Sequence, residues 1–143
     1  MQLLALLLLV VALARPYNQT TGRLRGNLVV LLDASASMQA SDVSPSRFEV
    51  ARSRARQIVD SLGPNDTMTL IAVGDQPRVL SSLTNDRALL RQALATAQVT
   101  NGEADWEAAA ILAAASAQQA LRQTTIVLLS DGGLPPDVPD MPG

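Results

Sequence analysis

The chain contains no cysteine and no histidine among its 143 residues, and it has one Phe, one Tyr and one Trp. Zinc sites built on thiolates and imidazoles, cysteine nucleophiles and histidine-based catalytic triads are therefore excluded. The absence of cysteine is compatible with either redox compartment and does not decide between them. The sequence also lacks a basic stripe with interleaved aromatic residues. We therefore predict no nucleic-acid partner.

The overall composition is that of an ordinary globular protein with an excess of alanine. Hydrophobic residues make up 48% of the chain and charged residues 17%, with a formal net charge of −2. These values and the length predict one folded domain.

Three oxygen-bearing side chains, Asp33, Ser35 and Ser37, follow the uninterrupted apolar run Leu28-Val29-Val30-Leu31-Leu32. Such a run predicts a strand buried on both faces, which is typical of a parallel sheet. The loop that leaves the carboxyl end of such a strand is where open α/β sheets bind ligands. A carboxylate and two hydroxyls suit a Mg²⁺-type cation. The alternative is a serine-rich turn whose hydroxyls only cap backbone groups.

A second acidic loop follows another apolar, β-branched run at residues 124–129. It reads Ser130-Asp131-Gly132-Gly133. If the two strands are parallel neighbours, Asp33 and Asp131 emerge at the same edge of the sheet. Two carboxylates so close would repel each other unless a cation lay between them. Taken alone, Asp131 is better explained as a simple cap on the turn that follows.

Together these residues resemble a von Willebrand factor type A domain with a metal-ion-dependent adhesion site. That family has Asp-x-Ser-x-Ser after its first strand, a Thr in a middle loop and Asp-Gly after its fourth strand. Asp33, Ser35 and Ser37 match the first part, and Asp131-Gly132 matches the last, over roughly residues 26–133. The resemblance implies a bound Mg²⁺, or alternatively Mn²⁺ or Ca²⁺, whose open coordination position takes an Asp or Glu from a protein partner.

The middle loop departs from the family pattern. Ala104 stands where the family has its Thr. Asp105 could supply an oxygen instead, and Thr100 is a more distant candidate. The alternative for Asp105 is an N-cap on the next helix, a position that Asp favours.

The resemblance also implies an α/β, Rossmann-like, doubly wound fold. Its sheet is mainly parallel in the order 3-2-1-4-5-6, with one short antiparallel edge strand and helices on both faces. The residues agree with this alternation: we expect helices after Ser46, after Asn85 or Asp86, and over residues 105–121. We expect strands at residues 67–73 and 78–81. The arginines of the first helix are interpreted as a solvated face; they are Arg47, Arg52, Arg54 and Arg56.

The first residues differ from the rest of the chain, because residues 3–14 are solidly apolar and Arg15-Pro16 follows them. The run is short for a membrane span, resembles a signal-peptide core, and has no basic residue before it. The resemblance favours part of a longer membrane helix in a truncated gene product. We expect residues 1–14 to be a membrane segment of a bacterial plasma-membrane protein and residues 15–25 a linker. Secretion after cleavage is the alternative, and the side of the membrane is left open.

The last ten residues, 134–143, contain four prolines and cannot continue a sheet interior. In the family order, the strand at residues 124–129 is then left as an unpaired apolar edge, which invites association. We therefore expect a fragment whose C-terminal strands are missing, or a domain in which something else covers that edge.

Three functions are compatible with these features. The first is a metal-dependent protein–protein interaction module; the resemblance adds MoxR-type AAA ATPases as expected associates. The second is a structural membrane subunit with a vestigial metal site, suggested by Ala104. The third is a Mg²⁺-dependent phosphatase with Asp33 as the nucleophile. Such enzymes need a second Asp two residues later, where this chain has Ser35, so we expect a protein without enzymatic activity.

Overall fold

The structure is a computed structural model that describes residues 24–131. Our predictions for the apolar segment at residues 1–14, for most of the linker, for Gly132 and Gly133, and for the tail at residues 134–143 concern residues outside this range. Within residues 24–131, none of the helices has the length and apolar character needed to cross a bilayer.

Four strands and three α-helices alternate along the described part of the chain. In order they are β1 (Asn27–Asp33), a 3-10 turn (Ala36–Gln39), α1 (Arg47–Ser61), β2 (Thr67–Val73), β3 (Arg78–Thr84), α2 (Arg87–Thr96), α3 (Trp106–Gln118) and β4 (Thr124–Leu129). The strands form one sheet in the order β3-β2-β1-β4. Strand β1 is parallel to β2 and to β4, and β3 is antiparallel to β2. The mixed sheet with an antiparallel edge strand is the one we predicted.

Helices cover both faces of the sheet, because β1 is buried along its whole length and presents apolar side chains on both sides. Leu28, Val30 and Leu32 pack on the side of α1 and α2, and Val29 and Leu31 pack on the side of α3. An uninterrupted apolar strand is what a parallel sheet covered on both faces requires.

Helix α1 begins where the sequence predicts. The Ser46 side chain accepts a hydrogen bond from the Glu49 backbone N–H at 3.2 Å. Phe48, Ala51 and Ala55 then recur at helical spacing and are buried. This anchoring places the first turn of α1 beside the carboxyl edge of the sheet.

Two boundaries differ from those expected. Strand β3 extends to Thr84, and its pairing with β2 shifts register between Met68 and Ile71, so the strand is longer and less regular than predicted. The alanine-rich helix α3 ends at Gln118. Strand β4 pairs with β1 and lies at the edge of the sheet formed by residues 24–131.

Candidate metal centre

The parallel register brings the two predicted acidic loops to one place. Leu32 of β1 lies opposite Leu129 of β4. The residues that follow them in the chain, Asp33 and Ser130, are therefore neighbours. The Ser130 hydroxyl donates to Asp33 Oδ2 at 2.7 Å and lies 3.4 Å from Asp131 Oδ1. Asp33 and Asp131 therefore lie at the same edge of the sheet, although 97 residues separate Asp33 from Ser130.

The Asp33 carboxylate organises the loop that follows β1. Its Oδ1 accepts hydrogen bonds from the Ser35 backbone N–H at 2.9 Å and from the Ser35 hydroxyl at 2.7 Å. Both residues are buried. Since the Ser35 proton is directed at Asp33, the Ser37 hydroxyl donates to Ser35 Oγ over 3.1 Å. Oxygens of three side chains are thus gathered within one turn of chain, an arrangement compatible both with a cation site and with the serine-rich turn that the sequence offered as the alternative.

Backbone hydrogen bonds fix this loop against its neighbours. The Ala34 N–H donates to the Val73 carbonyl of β2, and the Ala36 N–H donates to the Gly102 carbonyl of the middle loop, both at 2.9 Å. The Thr100 N–H donates to the Ala34 carbonyl at 2.7 Å. The middle loop is therefore held directly against the loop that carries the serines.

A cleft of about 630 Å³ opens between these loops. Four of the five predicted ligands line it, namely Asp33, Ser35, Ser37 and Asp131. The other lining residues are Ala36, Arg47, Gly102, Glu103, Ala104 and Trp106. Ala104, which replaces the family's Thr, lines this cleft and packs against the apolar cluster on the α3 side of the sheet, and its side chain carries no oxygen.

Asp105, the fifth predicted ligand, lies next to the cleft but is not among its lining residues. Its side chain accepts a hydrogen bond from the Ala108 N–H at 2.9 Å and caps helix α3. This is the N-cap that the sequence offered as the alternative, and a role of Asp105 as a ligand stays a prediction. Thr100 is likewise occupied, because its hydroxyl donates to the Ala34 carbonyl at 3.2 Å.

Two of the four arginines are not part of a solvated face, contrary to our interpretation. The Arg52 side chain is 16% exposed and donates to the Ala97 carbonyl at 2.8 Å. The Arg47 guanidinium reaches Asp131 Oδ2 at 2.6 Å and binds Asp42 in a bidentate pair, with both distances 2.8 Å. Hydrogen bonds to these carboxylates raise the pKa of Arg47, that of Asp42 contributing most, and the same contact lowers the pKa of Asp42. The helical pattern misleads here because Arg47 is the first residue of α1, where the side chain can turn back over the edge of the sheet.

Ser130 is a second residue that sequence reasoning did not assign to the site. Its hydroxyl bonds Asp33 because the register places the residue after β4 beside the end of β1. The signal in the sequence was its position, directly after an apolar run and before Asp131.

The groups gathered at this edge are of the chemical kind that a small divalent cation binds. A carboxylate and two hydroxyls follow β1, and a second carboxylate follows β4. Within residues 24–131 no group of three or more His, Cys, Asp or Glu is arranged to hold a metal. A cation in this cleft would therefore depend on serine hydroxyls and water as well as on the two carboxylates.

Comparison with known proteins finds one matching family and similar bacterial proteins. The family described as von Willebrand factor type A domain matches residues 28–133. A UPF0353 protein of Mycobacterium tuberculosis is 37% identical over 106 residues, which cover 73% of this chain and 32% of the relative. The chain thus spans about a third of that relative's length.

Two solved bacterial structures have the same fold. BatB of Bacteroides thetaiotaomicron is 25% identical with a TM-score of 0.61, and an aerotolerance-related membrane protein of Bacteroides fragilis is 28% identical with a TM-score of 0.60. Each alignment covers 71% of this chain and 52% of the other. From the family match across the described domain and the shared fold, we conclude that the chain belongs to the von Willebrand factor type A domain family.

Proposed function

We propose that this chain is a divalent-metal-dependent protein interaction module. One observation carries the proposal: Asp33, Ser35, Ser37 and Asp131, from two distant loops, line one cleft at the carboxyl edge of the sheet. Domains of this family commonly bind a divalent metal in such a motif. The hydroxyl and carboxylate ligands favour Mg²⁺ or Mn²⁺, with Ca²⁺ as a further candidate.

Each residue has a distinct task in this proposal. Ser35 and Ser37 offer hydroxyl oxygens to the cation, Asp33 orients Ser35 and supplies negative charge, and Asp131 closes the site from β4. When bound, the cation supplies a Lewis-acidic position that accepts a carboxylate oxygen from an Asp or Glu of a partner protein. The cleft is open enough for such a side chain to enter.

The setting that we propose is the bacterial plasma membrane. One structural relative is an aerotolerance-related membrane protein of Bacteroides fragilis, which is 28% identical to this chain over an alignment that covers 52% of the relative. The apolar run at residues 3–14 supports the same location. Association with a MoxR-type AAA ATPase is a further proposal, which rests on the family resemblance alone. The activity of the longer relatives, of which this chain spans about a third, is not transferred to it.

An enzymatic role has less support. A phosphatase of the type considered above needs an acid two residues after its nucleophile, and Ser35 occupies that position. We therefore propose that the chain is not an enzyme. A vestigial metal site is the stronger alternative, because Ala104 adds no oxygen to the cleft and the Asp105 carboxylate caps α3.

Calorimetric titration of the full 143-residue chain with Mg²⁺ and with Mn²⁺ tests the proposal. The chain is kept soluble in a mild non-ionic detergent because of its apolar first residues. We expect saturable binding of one ion, weakened at least tenfold in Ser37→Ala, since one ligand oxygen is lost. Ser37 is exposed, so its replacement leaves the core intact.

Ser82→Ala is the matched control, because Ser82 is an exposed serine on β3, away from the cleft. It should bind metal as the wild type does. If the wild type gives no binding heat with either ion, or Ser37→Ala binds as tightly as Ser82→Ala, the vestigial alternative replaces our proposal.

A further inference from the structure

Arg47 places a fixed positive charge against a proposed ligand of the cation. Its guanidinium is 2.6 Å from Asp131 Oδ2, and the Asp131 side chain is 8% exposed. Asp131 as a whole residue is exposed, whereas its side chain, which carries the carboxylate, is covered. An arginine bonded to a ligand oxygen competes with a metal ion for that oxygen's charge. Arg47 therefore influences how strongly Asp131 can hold a cation.

The position of Arg47 is fixed from two sides. Asp42 binds the guanidinium through two hydrogen bonds of 2.8 Å, and the Arg47 backbone N–H donates to the Ala40 carbonyl at 3.0 Å. Bidentate pairing of this kind holds a guanidinium in one orientation. Asp42, Arg47 and Asp131 therefore form one chain of charges that ends at the proposed metal ligand.

We propose that Arg47 is a specificity-determining residue of this cleft, which lowers the affinity for the free divalent ion and raises the affinity of the bound ion for a partner's carboxylate. This inference rests on the proposed function and deepens it, because it names the residue that keeps the bound cation attractive to an acidic ligand.

The charge balance gives the sign of each effect. The charged residues that line the cleft are Asp33, Glu103, Asp131 and Arg47, and Asp42 contacts Arg47 from outside this lining. Loss of Arg47 makes the occupied cleft more negative by one charge, which disfavours an incoming carboxylate. Loss of the Asp42 charge makes the surroundings of Arg47 more positive by one charge, which favours an incoming carboxylate.

The two affinities should therefore change in opposite directions. Removal of Arg47 relieves its repulsion of the metal and removes its competition for Asp131 Oδ2, so the metal binds more tightly. The same removal makes the occupied cleft a poorer acceptor for a carboxylate. A residue with a merely structural role would weaken both steps when it is lost, because a disordered cleft binds neither ligand well.

Water proton relaxation of Mn²⁺ separates the two steps in the full chain. The first titration measures Mn²⁺ affinity, and the second adds acetate, which displaces water from the bound ion and lowers the relaxation enhancement. We expect Arg47→Gln to bind Mn²⁺ about three- to tenfold more tightly and acetate about three- to tenfold more weakly, as expected for one partly screened charge at close range. Asp42→Asn should show the reverse of both changes.

Arg56→Gln is the matched control, since it removes the same charge from an exposed position on α1. It should change neither affinity by more than about twofold, because exposed charges at longer range are screened. If Arg47→Gln weakens both steps, or matches Arg56→Gln, the inference is wrong while the proposed function stands. If the wild type binds no Mn²⁺, both are wrong. Circular dichroism of each variant checks that the fold is retained.

Discussion

Asp66 is a structural carboxylate at the edge of the sheet opposite the cleft. One of its oxygens accepts from the Gly26 N–H and the other from the Gly63 N–H, each at 2.8 Å. Gly26 has φ of +91°, a backbone conformation that residues with a Cβ rarely adopt. Glycine at this position therefore allows the backbone N–H to point at Asp66. These bonds, that to Gly26 first, lower the pKa of Asp66. The carboxylate thus joins the start of β1 to the loop after α1.

Asp66→Ala should lower the free energy of unfolding by about 2–3 kcal/mol at pH 7, because two charge-assisted hydrogen bonds are lost. A carboxylate whose pKa is lowered on folding stabilises the protein above its unfolded value of about 3.9, and that contribution disappears as the pH falls through the folded value. The difference between wild type and variant should therefore shrink below about pH 4. Urea unfolding at several pH values measures it.

Asp75→Ala is the control for Asp66, since Asp75 is an exposed aspartate in the turn between β2 and β3. It should cost less than about 0.5 kcal/mol at any pH, as surface substitutions usually do. A constant difference between Asp66→Ala and wild type down to pH 2 would mean that the stabilisation does not come from the ionised carboxylate.

At the scale of single residues, the sequence predicted the contacts that follow from a local pattern. Asp33, Ser35 and Ser37 are close in the chain, so their spacing alone brings their oxygens together. Arg47 and Ser130 were missed because their partners are distant: Arg47 meets Asp131 84 residues away, and Ser130 meets Asp33 97 residues away. The register of β1 and β4 creates the Ser130–Asp33 contact, and the position of the first turn of α1 creates the Arg47–Asp131 contact.

Helix α3 begins at the point where the family pattern and this chain differ. Asp105 caps the helix through the Ala108 N–H, and its own N–H donates to the Gly74 carbonyl at 2.9 Å. The helix then packs closely on the sheet through Ala109 and Ala113, which are fully buried. The cap therefore fixes the start of α3, whose buried alanines pack on the sheet next to the cleft.

Two substitutions at Asp105 distinguish the cap from a metal ligand. Asp105→Asn retains a good N-cap, whereas Asp105→Ala removes it and should lower the free energy of unfolding by about 1 kcal/mol. If Asp105 is only a cap, both variants keep the wild-type Mn²⁺ affinity. Urea unfolding and Mn²⁺ titration of the same samples give the two quantities.

Glu107→Gln serves as the control for the charge, because Glu107 lies in the first turn of the same helix. A loss of Mn²⁺ affinity of tenfold or more in Asp105→Asn, with Glu107→Gln unchanged, would instead make Asp105 the oxygen ligand that replaces the family's Thr.

The proposed ligands come from opposite ends of the described domain. Asp33 and the two serines follow β1, and Asp131 follows β4, the last strand of the described chain. A cation held between them links both strands of the sheet, and it can bind tightly only to the folded protein. Metal binding should consequently stabilise the whole domain and not only the loops.

Thermal unfolding of the full chain in Mg²⁺ tests this coupling. At a free Mg²⁺ concentration of about 100 times the dissociation constant, the stabilisation is about 2.7 kcal/mol, which raises Tm on the order of 10 °C in a domain of this size. NaCl at the same ionic strength is the reference condition. Ser37→Ala should lose most of the shift and Ser82→Ala should keep it. An equal rise in NaCl would show that the effect is general screening.

The sequence by itself determined the type of fold and which oxygen-bearing side chains follow its strands. The apolar runs before Asp-x-Ser-x-Ser and before Asp-Gly specify buried parallel strands, because burial of a strand depends on its hydrophobic pattern. The tertiary structure decided which side chains meet. The β1–β4 register brings Ser130 to Asp33, and the start of α1 brings Arg47 to Asp131. Such contacts join residues far apart in the chain, and no local pattern encodes the packing that unites them.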